Sequence, residues 1–194
     1  MLERNSALKG QRIHGRFGKP SEHPGVTIEE IREFSYLDIT LWESEAASLR
    51  SKLAELLAIQ SLPAPEQSSP LPGGRLFSLK AGHLGYLGEA GPADILAAAI
   101  APEEGSVVSL GHGYCCLRLG RPMVINLLRR GIRQDLRDKA FPVHHVVRAD
   151  IGGIGLLLLR RDGGHFDLLI PRSQAVELWR WLTRRAAQFG YQVL

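Results

Sequence analysis

The alternation of apolar and polar positions divides the chain into three stretches. Residues 34–42 (FSYLDITLW) alternate and are rich in β-formers, which predicts a strand. Leu49, Leu53, Leu56 and Leu57 then recur at i, i+4, i+7 and i+8, the spacing of one helical stripe facing a core. That helix starts with Ser44 as its cap and runs to about Gln60. The following SLPAPEQSSPLPGG reads as a surface linker. Two short strands, 75–80 and 83–88, flank a tight turn at 81–82. Pro92 then opens an alanine-rich helix to Ile100, stopped by Pro102 and Gly105.

Beyond Ser106 the plan recurs. A strand over 114–119 precedes a helix with Pro122 near its start, Gly131 past its end, and Val124, Leu127 and Leu128 as its buried face. Strands follow near 143–150, 154–161 and 166–170, the last two joined by a hairpin turn at Asp162-Gly163-Gly164. Ser173 is placed to cap a final helix whose stripe is Ala175, Leu178, Trp179, Leu182, Ala186 and Phe189, ended by Gly190. The fold class that follows is α+β: duplicated strand-helix-strand-strand-helix halves, with helices packed on mainly antiparallel sheets. Residues 1–33 lack sustained periodicity and carry Gly10, Gly15, Gly18, Pro20, Pro24 and Gly25. They read as an extended N-terminal arm that either stays mobile or lies along a partner, with one helical turn where Thr27 and Glu30 match the capping-box spacing. The expected organisation is the arm at 1–33, a first half at 34–105 and a second half at 106–194, the halves forming one compact unit.

Composition adds little to this picture until charge is divided along the chain. Of the 194 residues 44% are hydrophobic and 23% charged, as in soluble globular proteins. The longest apolar run, 151–159, is far short of the roughly 20 residues a membrane helix needs. The N-terminus has no apolar signal region, and the two cysteines, Cys115 and Cys116, are adjacent and point to opposite faces of a strand, so a reducing, cytoplasmic setting is expected. The net charge of +4 conceals an asymmetry. Residues 1–106 carry 10 Lys+Arg against 14 Asp+Glu, a net of −4, and residues 107–194 carry 14 against 6, a net of +8. The basic run Arg129, Arg130, Arg133, Arg137, Lys139 contains no aromatic residue for base stacking and is interrupted by Asp135 and Asp138. A protein partner fits it better than nucleic acid.

Chemistry-bearing motifs are scarce. The clusters GHLGYLG, GHG and GGIG do not match a dinucleotide or phosphate loop and read as turns. No histidine or cysteine spacing is that of a metal site, and none of the seven histidines has an assignable orienting carboxylate. Ser109 lies outside a nucleophile elbow. A folded body without a pocket of converging charged groups is the expectation. Trp181, two residues from Trp179 and therefore on another helix face, is a candidate interface anchor.

Several local stretches carry a family likeness: Ser109-Leu110-Gly111-His112-Gly113, Arg121-Pro122, Gly131-Ile132-Arg133-Gln134-Asp135-Leu136, Ala140-Phe141, Ile170-Pro171-Arg172-Ser173-Gln174-Ala175 and Leu178-Trp179. On these the chain resembles the gamma subunit of heterotetrameric sarcosine oxidase, whose fold is similar to the folate-binding domain of aminomethyltransferases. Gly111 stands where that family usually has serine, and Ile132 where it has cysteine. The resemblance implies a role in a complex that oxidatively demethylates sarcosine to glycine with tetrahydrofolate and O2. In that complex the alpha, beta and delta subunits hold the FAD, FMN, NAD and zinc, and gamma carries no cofactor and no active site. A gamma-like subunit of an N-methylglutamate dehydrogenase and a free-standing folate-binding one-carbon protein are the alternatives. His112, Asp135, Arg172 and Trp181 are then candidates for partner contacts. Arg172, near a helix N-terminus, calls for an anionic partner, either Asp135 or another subunit.

Overall fold

The computed structural model describes residues 5–43 and 46–194, so the expected cap at Ser44 lies outside the described residues. The chain divides into two compact units, one of residues 33–111 and one formed by residues 1–32 together with 112–194. The N-terminal residues supply two strands, β1 (Gly15–Phe17) and β2 (Val26–Ile31). Residues 33–111 run β3 (Ser35–Leu41), α1 (Ala46–Leu56), β4 (Gln67–Leu71), β5 (Gly74–Lys80), β6 (His83–Gly88), α2 (Ala90–Ala99) and β7 (Gly105–Ser109). The remainder runs β8 (Tyr114–Gly120), α3 (Val124–Leu128), β9 (Val146–Ile151), β10 (Ile154–Arg160), β11 (Phe166–Pro171), α4 (Ala175–Ala186) and β12 (Tyr191–Val193).

In the 33–111 unit the sheet order is β4-β5-β6-β3-β7, antiparallel throughout. Leu37, Ile39, Leu41, Leu76, Leu84 and Tyr86 face one side, where Leu49 and Leu53 of α1 and Ala93 and Leu96 of α2 complete the core. The other unit has the order β1-β12-β2-β8-β11-β10-β9, antiparallel except where β12 lies parallel to β2. Its core gathers Val26, Ile28, Leu117, Leu119, Leu158 and Leu168 from the sheet. Against them pack Val124, Leu127 and Leu128 of α3 and Ala175, Leu178, Trp179, Leu182 and Ala186 of α4, the stripes read from the sequence.

Four local expectations are corrected. Residues 26–31 are a central strand, not part of an arm with a helical turn. Thr27 and Glu30 have the capping-box spacing, but Val26 and Ile28 alternate into the core at 0% exposure, and strand pairing on both edges prevails. The arm's beginning is also tied down: Leu8 is fully buried, and Ser6 Oγ donates to the buried Glu30 carboxylate at 2.7 Å. Within the supposed linker, 67–71 form β4, and Pro70 is tolerated because β4 is an edge strand. Ser173 sits in a 3₁₀ turn ahead of α4 and makes no side-chain cap; Gln174 occupies the cap position. Leu56 ends α1 largely exposed and outside the core stripe.

Candidate functional site

The four residues expected to meet partners are dispersed within the unit formed by 1–32 and 112–194. His112 is exposed in a single 3₁₀ turn, Gly111–Gly113, at the entrance to β8. Asp135 is engaged by its neighbour: Arg137 donates to it from Nε at 2.9 Å and from its backbone N–H at 3.0 Å. These bonds, the guanidinium's above all, hold the Asp135 carboxyl at a pKa of about 2. Arg172 does not reach Asp135; it donates to the backbone carbonyl of Asn5, fastening the N-terminal segment beside the start of α4. Trp181 is half-buried and packed against the core, its ring lying where a Cβ on Gly131 would fall 2.7 Å from Cζ2. Among the described residues no hydrogen bond, ion pair or ring contact joins any two of the four.

The connection between α3 and β9 is tied to the fold at Asp138 and Phe141, while Arg129, Arg133 and Lys139 stay exposed. Asp138 accepts a bond at 2.5 Å from Arg160, a β10 arginine with 2% of its side chain exposed, which also donates to Phe141 O at 2.6 Å. His144 and His145 precede β9 and do not lie within a strand: His144 adopts φ +72°, and the His145 ring meets Phe141 edge-on. Arg130 lies over the Phe189 ring at 5.4 Å.

On the sheet face away from α3 and α4, Asp167 is buried and receives Arg118 Nε at 2.9 Å and Arg161 Nη1 at 2.8 Å. Cys116 shares that face. Burial pushes its thiol well up, and the Asp167 charge adds to the shift, so it stays protonated and unreactive. Cys115 turns into the helix-side core, with Sγ 3.9 Å from Glu30.

Two cavities carry groups with chemical potential, contrary to the expectation of no pocket with converging charges. In the 33–111 unit a cavity of about 510 Å³ is walled by Thr40, Glu43, Arg50, Lys80 and His83. There His83 Nε2 lies 2.6 Å from Asp38 Oδ1, supplying the orienting carboxylate that no histidine could be given from sequence. The pair is 45 residues apart and meets because β3 and β6 align Thr40 with His83, which brings Asp38 diagonally beside it. A carboxylate-held imidazole can accept or pass a proton, or bind an anion. In the other unit a cavity of about 500 Å³ lies between the 19–25 loop and residues 121–123, with Lys19, His23 and Arg121 in its walls. Among the described residues no three His, Cys, Asp or Glu side chains gather as metal ligands, and no helix is long and apolar enough to cross a membrane.

No protein-family model matches the sequence. No curated protein matches it either. Solved structures do. A chain of the heterotetrameric sarcosine oxidase from Corynebacterium sp. U-96, in complex with pyrrole 2-carboxylate, superposes with a TM-score of 0.77 at 22% identity, covering 96% of this chain and 96% of that one. The glycine cleavage system aminomethyltransferase T from Bartonella henselae gives a TM-score of 0.60 at 14% identity over 94% of this chain, which spans 51% of the enzyme. The chain thus has a mixed α+β fold, with mainly antiparallel sheets and, among the described residues, four α-helices, and that fold is similar to one chain of a sarcosine oxidase and to part of an aminomethyltransferase.

Proposed function

We propose that this chain is the gamma-type subunit of a heterotetrameric sarcosine oxidase, with a structural and assembly role and no active site of its own. The observation that carries the reading is the two-way match in length: 96% of this chain against 96% of one chain of a heterotetrameric oxidase, whereas the same fold is only 51% of the aminomethyltransferase. The likeness is thus to nearly the full length of one oxidase chain and to about half of the transferase. The exposed cations of 107–194, Arg129, Arg133 and Lys139 among them, then suit an acidic partner. In this reading the partners are alpha, beta and delta subunits carrying FAD, FMN, NAD and zinc, the complex uses tetrahydrofolate, and it works in the cytoplasm. The methylated amino acid is sarcosine or, in a related complex, N-methylglutamate.

Purification of the tagged chain from its native cell is expected to yield a flavin-coloured complex that makes hydrogen peroxide when given sarcosine. A colourless single chain with no amine-dependent activity contradicts the reading. The likeness to an aminomethyltransferase favours one rival, a free-standing folate-binding one-carbon protein. Calorimetry with tetrahydrofolate separates the two: the isolated subunit gives no binding heat, and the rival gives a saturable one.

A further inference from the structure

The cavity beside the 19–25 loop is assembled by backbone, not by chance side-chain crowding. Lys19 N–H donates to Ala187 O at 2.7 Å, Gly25 N–H to Gly190 O at 2.9 Å, and Met123 N–H to Gly25 O at 3.0 Å, so three chain segments are pinned around one space. Glycine is required for that closeness: a Cβ on Gly18 would lie 2.3 Å from Ala187 O, and one on Gly25 would lie 2.7 Å from Phe189 O. Pro20, Pro24 and Pro122 stiffen the rim. The volume of about 500 Å³ falls within the roughly 300–1,000 Å³ of small-molecule sites.

The lining has a definite chemistry. Lys19, His23 and Arg121 bring positive charge or hydrogen-bond donors, and no described carboxylate pairs with any of the three. Glu22, the acidic residue of the loop, is not in the walls, and its backbone carbonyl is taken by Arg16. Met123 and Phe189 supply an apolar surface, the Phe189 ring held by Arg130. Arg121 also sits at φ +82°, where glycine would be unstrained. A long cationic side chain kept at a strained position in a cavity wall points to use of that side chain.

We propose that this cavity binds a small anion: a carboxylate on a flat apolar body, the charge held by Arg121, Lys19 and His23 and the body resting on Met123 and Phe189. The site is independent of the assembly role, and either reading can fail alone. Saturation-transfer NMR on the full chain, or on whatever complex it purifies with, tests it with benzoate as probe and benzyl alcohol as the uncharged control. Benzoate should show saturable transfer that benzyl alcohol does not, and Arg121→Gln should weaken binding at least tenfold. Arg121→Gly should raise the melting temperature by relieving the backbone while abolishing binding, so loss of signal cannot be blamed on misfolding. Displacement of benzoate by inorganic phosphate supports recognition of the charge. Equal transfer to benzyl alcohol, benzoate binding unchanged in both Arg121 variants, or no saturable transfer at all overturns the proposal.

Discussion

The two units run the same order of elements, strand, helix, three antiparallel strands, helix, strand, yet they close differently. In residues 33–111 the last strand, β7, pairs directly with the first, β3. In the other unit the corresponding β12 and β8 never touch, because β2 from the N-terminus is inserted between them, and β1 extends the far edge. The difference teaches that the N-terminal residues complete a sheet. Without β2, two of that sheet's strands would lack a partner edge and the core would lose Val26 and Ile28.

The comparison breaks most sharply at the strand that neighbours β8 or β3. Ile28→Asp places an unpaired charge at a fully buried position and is expected to cost at least about 4 kcal/mol, enough to abolish soluble protein or cooperative unfolding. Val108→Lys on β7, a charge at a position 48% exposed and directly opposite Asp38, should change stability by no more than about 0.5 kcal/mol in denaturant titrations. Similar outcomes for the two would show that β2 is not a structural wedge.

Glycines sharpen the contrast within the sheets. A Cβ on Gly85 of β6 would fall 2.1 Å from the Phe77 ring, so Gly85→Ala should destabilise by about 1–3 kcal/mol. A Cβ on Gly155 of β10 meets nothing within 4 Å, and Gly155→Ala should be neutral or stabilise by up to about 1 kcal/mol. Thermal melts of the pair measure both.

The smallest effect is electrostatic. The Asp135 carboxyl, held down to about 2 by Arg137, contributes stability that is complete above its ordinary value of about 3.9 and is lost as pH falls through about 2. Asp135→Asn should therefore lower the melting temperature slightly at neutral pH, and the difference should vanish toward pH 2. A difference that persists unchanged at that pH would remove the Arg137 pair as its cause.

What the sequence made legible follows from how local each signal is. The α4 stripe and the Asp162-Gly163-Gly164 hairpin lie within a dozen residues, and the structure has both, with Asp162 accepting bonds from the Gly164 and His165 N–H groups. β2 was obscured because Glu29 and Glu30 interrupt its apolar pattern. Glu30 is accommodated on the core side only because Ser6 and Arg12, 24 and 18 positions earlier, reach it at 2.7 Å and 3.4 Å. β4 was hidden by Pro70, acceptable only at a sheet edge. The Asp38–His83 pair and the 19–25 cavity depend on strand register and on loop closure across more than 160 residues, which no local spacing encodes.

The assembly role is tested most directly by the native mass of the tagged chain purified from its own cell, recorded together with the flavin absorbance and sarcosine-dependent peroxide production. The account predicts one heterotetrameric species that contains this chain, carries flavin and turns over substrate. A flavin-less single chain, inert toward sarcosine and N-methylglutamate alike, would contradict it.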